Sequence, residues 1–101
     1  MASSELPGHT HLLCDLWFEE NEILKYVAPL RAAVIEAARA GGAHVLHSHF
    51  HQFRPWGVTG FLLLSESHIS LHTWVEERYA ALDVFGCGSM DHGSIVRVLV
   101  E

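Results

Sequence analysis

The stretch LLLSESHISLHTW, residues 62–74, decides how the middle of this chain folds. Its first three residues are apolar, whereas the residues from His68 onward alternate between polar and apolar side chains, which is typical of a strand with one buried face. Between these parts, Ser67 follows a glutamate and precedes a histidine in a short polar segment that interrupts the pattern. We therefore predict a strand at 68–74 that begins directly after an irregular turn.

The segments on either side of this stretch also have the period of β-strands. Residues 58–65 form a largely apolar run, which predicts a strand buried on both faces. Residues 43–53 alternate, so three imidazoles share one face and three other side chains share the opposite face: His47, His49 and His51 against Leu46, Ser48 and Phe50. With turns at RPWG and VEER and a loop at GSMDHG, the pattern predicts six strands: 10–18, 43–53, 58–65, 68–74, 79–87 and 94–100.

One segment has the period of a helix instead. In residues 19–42 the apolar side chains recur at helical spacing, at Ile23, Val27, Leu30, Val34 and Ala38. Pro29 favours a start of the regular helix near that residue, and the Gly41-Gly42 pair favours its end. The chain is thus predicted to be a single α+β domain over residues 1–101, a two-layer sandwich with a mostly antiparallel sheet and one main helix on one face.

Composition narrows the class of protein. The chain has 101 residues and a formal charge of −6, and its six basic residues are scattered, so we expect no nucleic-acid partner. No apolar run is long enough to cross a bilayer, and no export signal is recognised at the start, so we expect a cytoplasmic protein without a membrane partner. Cys14 and Cys87 are interpreted as free thiols. Because one helix cannot cover a sheet of this width, apolar surface remains, and we expect a homodimer or higher homo-oligomer.

Two longer motifs identify a family. The sequence GVTGFLLLSESHISLHTW, residues 57–74, and the sequence YAALDVFGCG, residues 79–88, closely resemble the self-processing, pyruvoyl-dependent S-adenosylmethionine decarboxylases of bacteria and archaea. The resemblance is strongest from Phe50 to Gly88 and weaker in HLLCDLW and AARAGGAHV. Its most specific part is an ESH sequence with a histidine five residues after the serine and a cysteine twenty residues after it.

The resemblance implies a covalent cofactor made from the chain itself. Ser67 would attack the carbonyl of Glu66, and elimination of the resulting ester would cleave the chain between residues 66 and 67 and leave a pyruvoyl group at residue 67. His72 would remove the α-hydrogen in that elimination. Thr59 occupies the position of a family serine that hydrogen-bonds the tetrahedral intermediate, and it keeps the hydroxyl.

The resemblance also implies the residues of turnover and of substrate binding. The pyruvoyl carbonyl would form a Schiff base with the substrate amine, and Cys87 would return a proton after loss of carbon dioxide. Phe53 would stack on the adenine of S-adenosylmethionine, Trp74 would lie nearby in the substrate site, and Glu76 would bind the ribose hydroxyls. A further residue, His68, is expected beside the pyruvoyl group, with no step assigned to it.

Three features depart from the expected pattern. Val75 stands where the family has proline, and the chain continues for fourteen residues after Cys87, so we expect a short, C-terminally truncated member without the family's second helix. In addition, Ser67 and His72 are an odd number of residues apart and would face opposite sides of a straight strand. A bend near residues 65–67 is expected to bring them together.

Three alternatives stay open at this point. The same pyruvoyl chemistry acts on any α-amino acid, so ornithine or arginine is an alternative substrate. The HSHFH sequence, residues 47–51, is an alternative metal site, although we predict none. Finally, a non-catalytic paralogue or a partner subunit of a longer homologue would keep the motif without self-cleavage.

Overall fold

The structure is a computed structural model that describes residues 9–87 and 89–100. The described chain forms five strands and two α-helices: β1 His9–Trp17, α1 Val27–Ala40, β2 Val45–Gln52, β3 Val58–Leu64, β4 His68–Trp74, β5 Tyr79–Cys87 and α2 His92–Val100. Short 3₁₀ turns lie at Glu22–Leu24 and Val75–Glu77. The strands form one sheet in the order β1-β5-β4-β3-β2, with every neighbouring pair antiparallel. The predicted α+β class and antiparallel sheet are confirmed.

The core lies between one face of this sheet and the two helices. In β3, β4 and β5 alternate side chains are buried, because successive residues of a strand point to opposite faces. Val58, Leu62, Ile69 and Val84 are fully buried from the sheet side, and Val34 of α1 is 1% exposed. Burial of each such side chain stabilises the fold by about 1.5–3 kcal/mol.

Helix α1 begins and ends close to the predicted positions. The backbone N–H of Val27 donates to Oε1 of Gln52 at 2.8 Å, so the helix N-terminus is tied to the end of β2. Pro29 is the third residue of the helix, where no intrahelical bond to its nitrogen is required. Beyond the end of α1, Gly42 has a φ of +81°, a left-handed conformation that favours glycine.

The prediction of a strand at 94–100 is wrong, because His92–Val100 forms helix α2. Asp91 caps its first turn by accepting from the backbone N–H of Ser94 at 3.0 Å. Ile95 is fully buried against α1, at a place where Gly41 has no side chain to obstruct it. The expectation that this chain lacks a second helix is therefore wrong as well.

The sheet has a second face that neither helix covers, and we refer to it as the open face. Residues 58–65 were predicted to be buried on both sides, but Phe61 and Leu63 of β3 are 39% and 45% exposed on the open face. Leu13, Trp17 and Trp74 are exposed there too. The uncovered apolar sheet surface is thus present in the single chain.

The histidine-rich strand β2 borders the same face. Its three imidazoles are exposed there, and Ser48 and Phe50 alternate with them as predicted. Leu46 departs from that pattern with 62% exposure, because the register of β2 on β3 shifts between Val45 and His47. In residues 9–87 and 89–100, no helix is long and apolar enough to cross a membrane. The expectations for residues 1–8 lie outside the described residues.

Candidate active site

The polar break between β3 and β4 is a tight turn at residues 65–67. The N–H of Leu64 donates to the carbonyl of Ser67 at 2.8 Å, and the N–H of Ser65 donates to the carbonyl of His44 at 3.0 Å. The carboxylate of Glu66 binds His44 twice, through the backbone N–H at 3.1 Å and the ring Nδ1 at 2.6 Å. These two hydrogen bonds lower the pKa of Glu66 to about 2, and the bond to the ring has the larger effect. Hydrogen bonds to the end of β3 and to His44 therefore fix the turn that contains the Glu66–Ser67 peptide.

A cluster of polar side chains lies next to this turn on the open face. Oγ of Ser67 is 3.4 Å from Nδ1 of His68, and Nε2 of the same imidazole is 3.0 Å from Oδ2 of Asp83. Ser70 donates to Oδ2 of Asp83 at 3.0 Å, and Nε2 of His11 binds the other carboxylate oxygen. Burial alone would raise the pKa of Asp83, but these three partners together hold it below its ordinary value. The carboxylate is therefore ionised at neutral pH.

Cys87 lies at the end of β5 beside the same turn. The β4–β5 ladder pairs His68 with Phe85, so continuing that register places Cys87 alongside Glu66. Its Sγ is 3.0 Å from Oγ of Ser89, and that hydrogen bond lowers the pKa of the Cys87 thiol. The negative charge of Glu66 acts in the other direction and raises this pKa, but its effect is smaller. Burial, followed by the charge of Asp15, raises the pKa of Cys14. Cys87 is therefore the more reactive of the two thiols.

A second group of predicted residues lies at the other end of the open face. Thr59 and His72 are paired across β3 and β4, and the threonine Oγ1 is 3.1 Å from the imidazole Nδ1. A pocket next to this pair is lined by Phe53, Trp74 and Glu76, together with Trp56. All four residues therefore line one concave surface.

The acidic residue of this pocket is fixed in place. Nε1 of Trp56 donates to Oε2 of Glu76 at 2.8 Å, and this bond lowers the pKa of the carboxyl. Nζ of Lys25 lies 4.7 Å from the ring centroid of Trp56, so a cation–π contact supports the indole from behind. Glu76 is thus an ionised acceptor at the mouth of the pocket.

The structure therefore divides the predicted site residues into two groups. Ser67, His68 and Cys87 lie at one end of the sheet, whereas Thr59 and His72 lie with the aromatic pocket at the other. The two histidines, His68 and His72, are four positions apart along β4, which is roughly 13 Å along an extended strand. The expected bend at residues 65–67 is present, but it turns the chain at the sheet end and does not carry Ser67 to His72.

Five residues that contact the candidate site were not predicted from the sequence: His11, His44, Trp56, Ser70 and Asp83. His44 anchors Glu66, and Asp83 gathers the imidazoles of His11 and His68. A charged residue inside the apolar strand segment YAALDVF is a signal that would have drawn attention to Asp83. His11 and His44 carry no such local signal, because their partners lie 72 and 22 residues away in the sequence.

One group among the described residues has the spacing of a metal site. The candidate ligand atoms of His11, His68 and Asp83 lie within 4.8 Å of one another. Both imidazoles, however, already direct Nε2 at the carboxylate, so the cluster is satisfied by hydrogen bonds without an ion. Within residues 9–87 and 89–100, the imidazoles of residues 47–51 form no group of three such ligands.

Comparison with known proteins gives a consistent result. Residues 10–101 match the family model described as S-adenosylmethionine decarboxylase. The chain is 47% identical over 81 residues to the S-adenosylmethionine decarboxylase proenzyme of Persephonella marina, covering 80% of this chain and 61% of that protein. It is also 47% identical over 78 residues to the proenzyme of Methanococcus maripaludis, covering 77% of this chain and 64% of that protein.

This chain covers a larger share of one solved structure than of these two relatives. The crystal structure of the adenosylmethionine decarboxylase from Aquifex aeolicus superposes with a TM-score of 0.78 and 34% identity, covering 92% of this chain and 75% of that one. The present chain thus spans somewhat less than two thirds of the curated relatives that it matches. The same folding pattern extends over nearly all of the described residues.

Proposed function

The chain belongs to the S-adenosylmethionine decarboxylase family, and from this premise we propose that it is a proenzyme that makes a pyruvoyl group from Ser67 and decarboxylates S-adenosylmethionine. The observation that carries the proposal is the position of Ser67. It ends a tight turn at the start of β4, beside the family's cysteine position at Cys87. The product of this reaction would supply aminopropyl groups for the synthesis of polyamines such as spermidine.

The residues of the turn fit the formation of the group. The Ser67 hydroxyl attacks the Glu66 carbonyl carbon, the peptide C–N bond breaks, and an ester forms with a free amine on residue 67. Removal of the α-hydrogen of residue 67 expels the Glu66 carboxylate and leaves a dehydroalanine. Its imine tautomer takes up water and releases ammonia, so residue 67 ends as a ketone. Glu66 and Ser67 therefore flank the cleavage site.

Once formed, the pyruvoyl ketone supplies an electron sink for loss of carbon dioxide from an α-amino acid. Cys87 then donates a proton to the carbon that has lost its carboxylate. Its position alongside the turn and its lowered pKa support this role. Thr59 and His72 form a hydrogen-bonded pair that supports their roles in processing, with the imidazole as the base for elimination.

The separation of the two residue groups is best explained by a second copy of the chain. Both groups lie on the open face, whose apolar side chains include Leu13, Phe61 and Leu63. Two such faces packed about a twofold axis would bury these residues and bring the Ser67 end of one copy opposite the His72 end of the other. A homodimer would then contain two complete sites, each built from both copies.

The pocket supports S-adenosylmethionine as the substrate. Phe53 and Trp74 offer aromatic faces for the adenine, and Glu76 offers an ionised carboxylate for the ribose hydroxyls. The names of the relatives reported above also favour this substrate over ornithine and arginine. The free thiols of Cys14 and Cys87 are compatible with a reducing compartment, and we propose the cytoplasm.

Denaturing gel electrophoresis and mass spectrometry of the purified protein test the proposal. We expect fragments of residues 1–66 and 67–101 with a pyruvoyl group at residue 67, and an intact chain for the Ser67→Ala variant. Carbon dioxide release should be observed with S-adenosylmethionine and not with ornithine or arginine. An uncleaved wild-type chain with an unmodified Ser67 would instead identify a non-catalytic paralogue or partner subunit.

A further inference from the structure

Three side chains form a line from the cleavage site into the sheet. Oγ of Ser67 lies 3.4 Å from Nδ1 of His68, and Nε2 of that ring lies 3.0 Å from Oδ2 of Asp83. The imidazole therefore bridges a hydroxyl and a carboxylate. A nucleophile, a base and a group that orients the base are the three parts by which an activated hydroxyl is recognised.

The carboxylate determines which nitrogen of His68 carries the proton. Asp83 is ionised and so only accepts hydrogen bonds, and it already receives them from His11 and Ser70. The third partner, Nε2 of His68, must then be an N–H donor. In the neutral ring this leaves Nδ1 with a lone pair, directed at the hydroxyl of Ser67.

We propose that His68 is the base for the first step of self-cleavage and that Asp83 is its positioning residue. The inference rests on the proposed self-cleavage and assigns a step to a residue that had none. Nδ1 takes the proton of the Ser67 hydroxyl as Oγ bonds to the Glu66 carbonyl carbon. It then returns this proton to the departing amide nitrogen as the C–N bond breaks, so no proton is gained or lost overall.

Other candidates for this base are less suitable. The Glu66 carboxylate is tied to His44 and has a pKa of about 2, so it is too weak a base for a hydroxyl. His72 of the same chain lies four residues farther along β4 than His68. The thiol of Cys87 is engaged with Oγ of Ser89. Among the described residues, His68 is thus the imidazole that contacts the hydroxyl of Ser67.

Trapping of the ester separates this step from the later elimination. Hydroxylamine cleaves esters, so the rate of chain cleavage at saturating hydroxylamine measures the attack by Ser67 even where elimination is blocked. We expect His68→Ala to lower this rate about 100-fold or more, the usual contribution of a general base. His47→Ala removes another exposed imidazole of the open face and serves as the matched control with an unchanged rate.

Added imidazole provides a test that a merely structural role would fail. The side chain of His68 is 40% exposed in the single chain, and a dimer site that admits a substrate also admits imidazole into the space that His68→Ala leaves. We expect imidazole to restore cleavage in His68→Ala and not in Ser67→Ala. If the wild type and His68→Ala are cleaved at the same rate in saturating hydroxylamine, this inference is wrong. If the wild type is not cleaved even with hydroxylamine, the proposed function itself fails.

The role of Asp83 has a spectroscopic signature. In the Ser67→Ala precursor, which keeps His68, nitrogen-15 NMR should show a protonated Nε2 and an unprotonated Nδ1 for this ring. Asp83→Asn should shift the ring toward the other tautomer and slow trapped cleavage in the Ser67-containing chain, while circular dichroism stays unchanged. A ring with its proton on Nδ1 in the precursor would overturn the proposal without requiring any His68 variant to fold.

Discussion

At the scale of single residues, the turn at the proposed cleavage site is tied down by the carboxylate of Glu66. His44 donates to both oxygens of Glu66 and lowers its pKa from 4.5 to about 2. Between these pH values the unfolded chain takes up a proton at residue 66 that the folded chain does not. The free energy of unfolding therefore falls as the pH is lowered through this window, and above it the contribution of Glu66 is fully present.

We predict that Glu66→Gln removes part of this acid sensitivity. The comparison is made in the Ser67→Ala background, so that a single uncleaved chain unfolds. Urea unfolding at pH 6 and at pH 3 should show a smaller loss of stability for Glu66→Gln than for its parent, because the amide does not titrate. Glu36→Gln, which removes an exposed carboxylate of α1, should lose as much stability as the parent. Equal losses for both variants would contradict the prediction.

The sequence identifies some site residues and conceals others. The spacing of Ser67, His72 and Cys87 is visible because all three lie in one short segment. Asp83 and His11 are brought together by pairing of the first strand with the last strand of the sheet, across 72 residues. Local sequence carries no information on such pairs, so the cluster around Asp83 emerges only from the topology.

At the scale of elements, strands were easier to predict than the last helix. β4 and β5 have the predicted bounds because their alternation is regular and VEER forms the turn between them. In SIVRVLV four of the seven residues are β-branched, which favours a strand locally. The cap at Asp91 and the burial of Ile95 against α1 outweigh that preference. Tertiary packing thus decides the conformation of this segment.

We predict that Ile95 is the residue on which α2 most depends. Its side chain is fully buried, so Ile95→Ala should lower the free energy of unfolding by about 2–5 kcal/mol. Val100→Ala in the same helix is the control, since Val100 is 54% exposed and should change stability by less than about 0.5 kcal/mol. Urea unfolding of the Ser67→Ala precursor measures both. Similar effects for the two variants would mean that α2 does not pack as described.

At the scale of the whole molecule, one face of the sheet forms the core and the other carries the candidate site residues. The face under α1 and α2 is a continuous core, whereas the open face carries apolar side chains between two groups of polar ones. The apolar side chains of β3 on the open face look the same in the sequence as side chains that are buried under a helix. The sequence therefore predicted two buried faces where the single chain has one.

The proposed division of the site between two copies makes a strong prediction for mixed dimers. A copy with Ser67→Ala keeps His72, and a copy with His72→Ala keeps Ser67, so their heterodimer contains one complete site. Each variant alone has none and should stay uncleaved. With random pairing half of all dimers are mixed, so about half of the His72→Ala chains should be cleaved after co-expression.

Gel electrophoresis with differently tagged copies measures this fraction, and decarboxylation of S-adenosylmethionine should reappear with it. Co-expression of Ser67→Ala with a Ser67→Ala, His72→Ala double variant is the matched control, because no pairing of these chains restores a complete site. If the proposed site lay within one chain, cleavage of His72→Ala would be the same with and without the second variant. Recovery on mixing would therefore show that each imidazole acts on the serine of the facing copy, because the two groups are too far apart along β4 to meet within one chain.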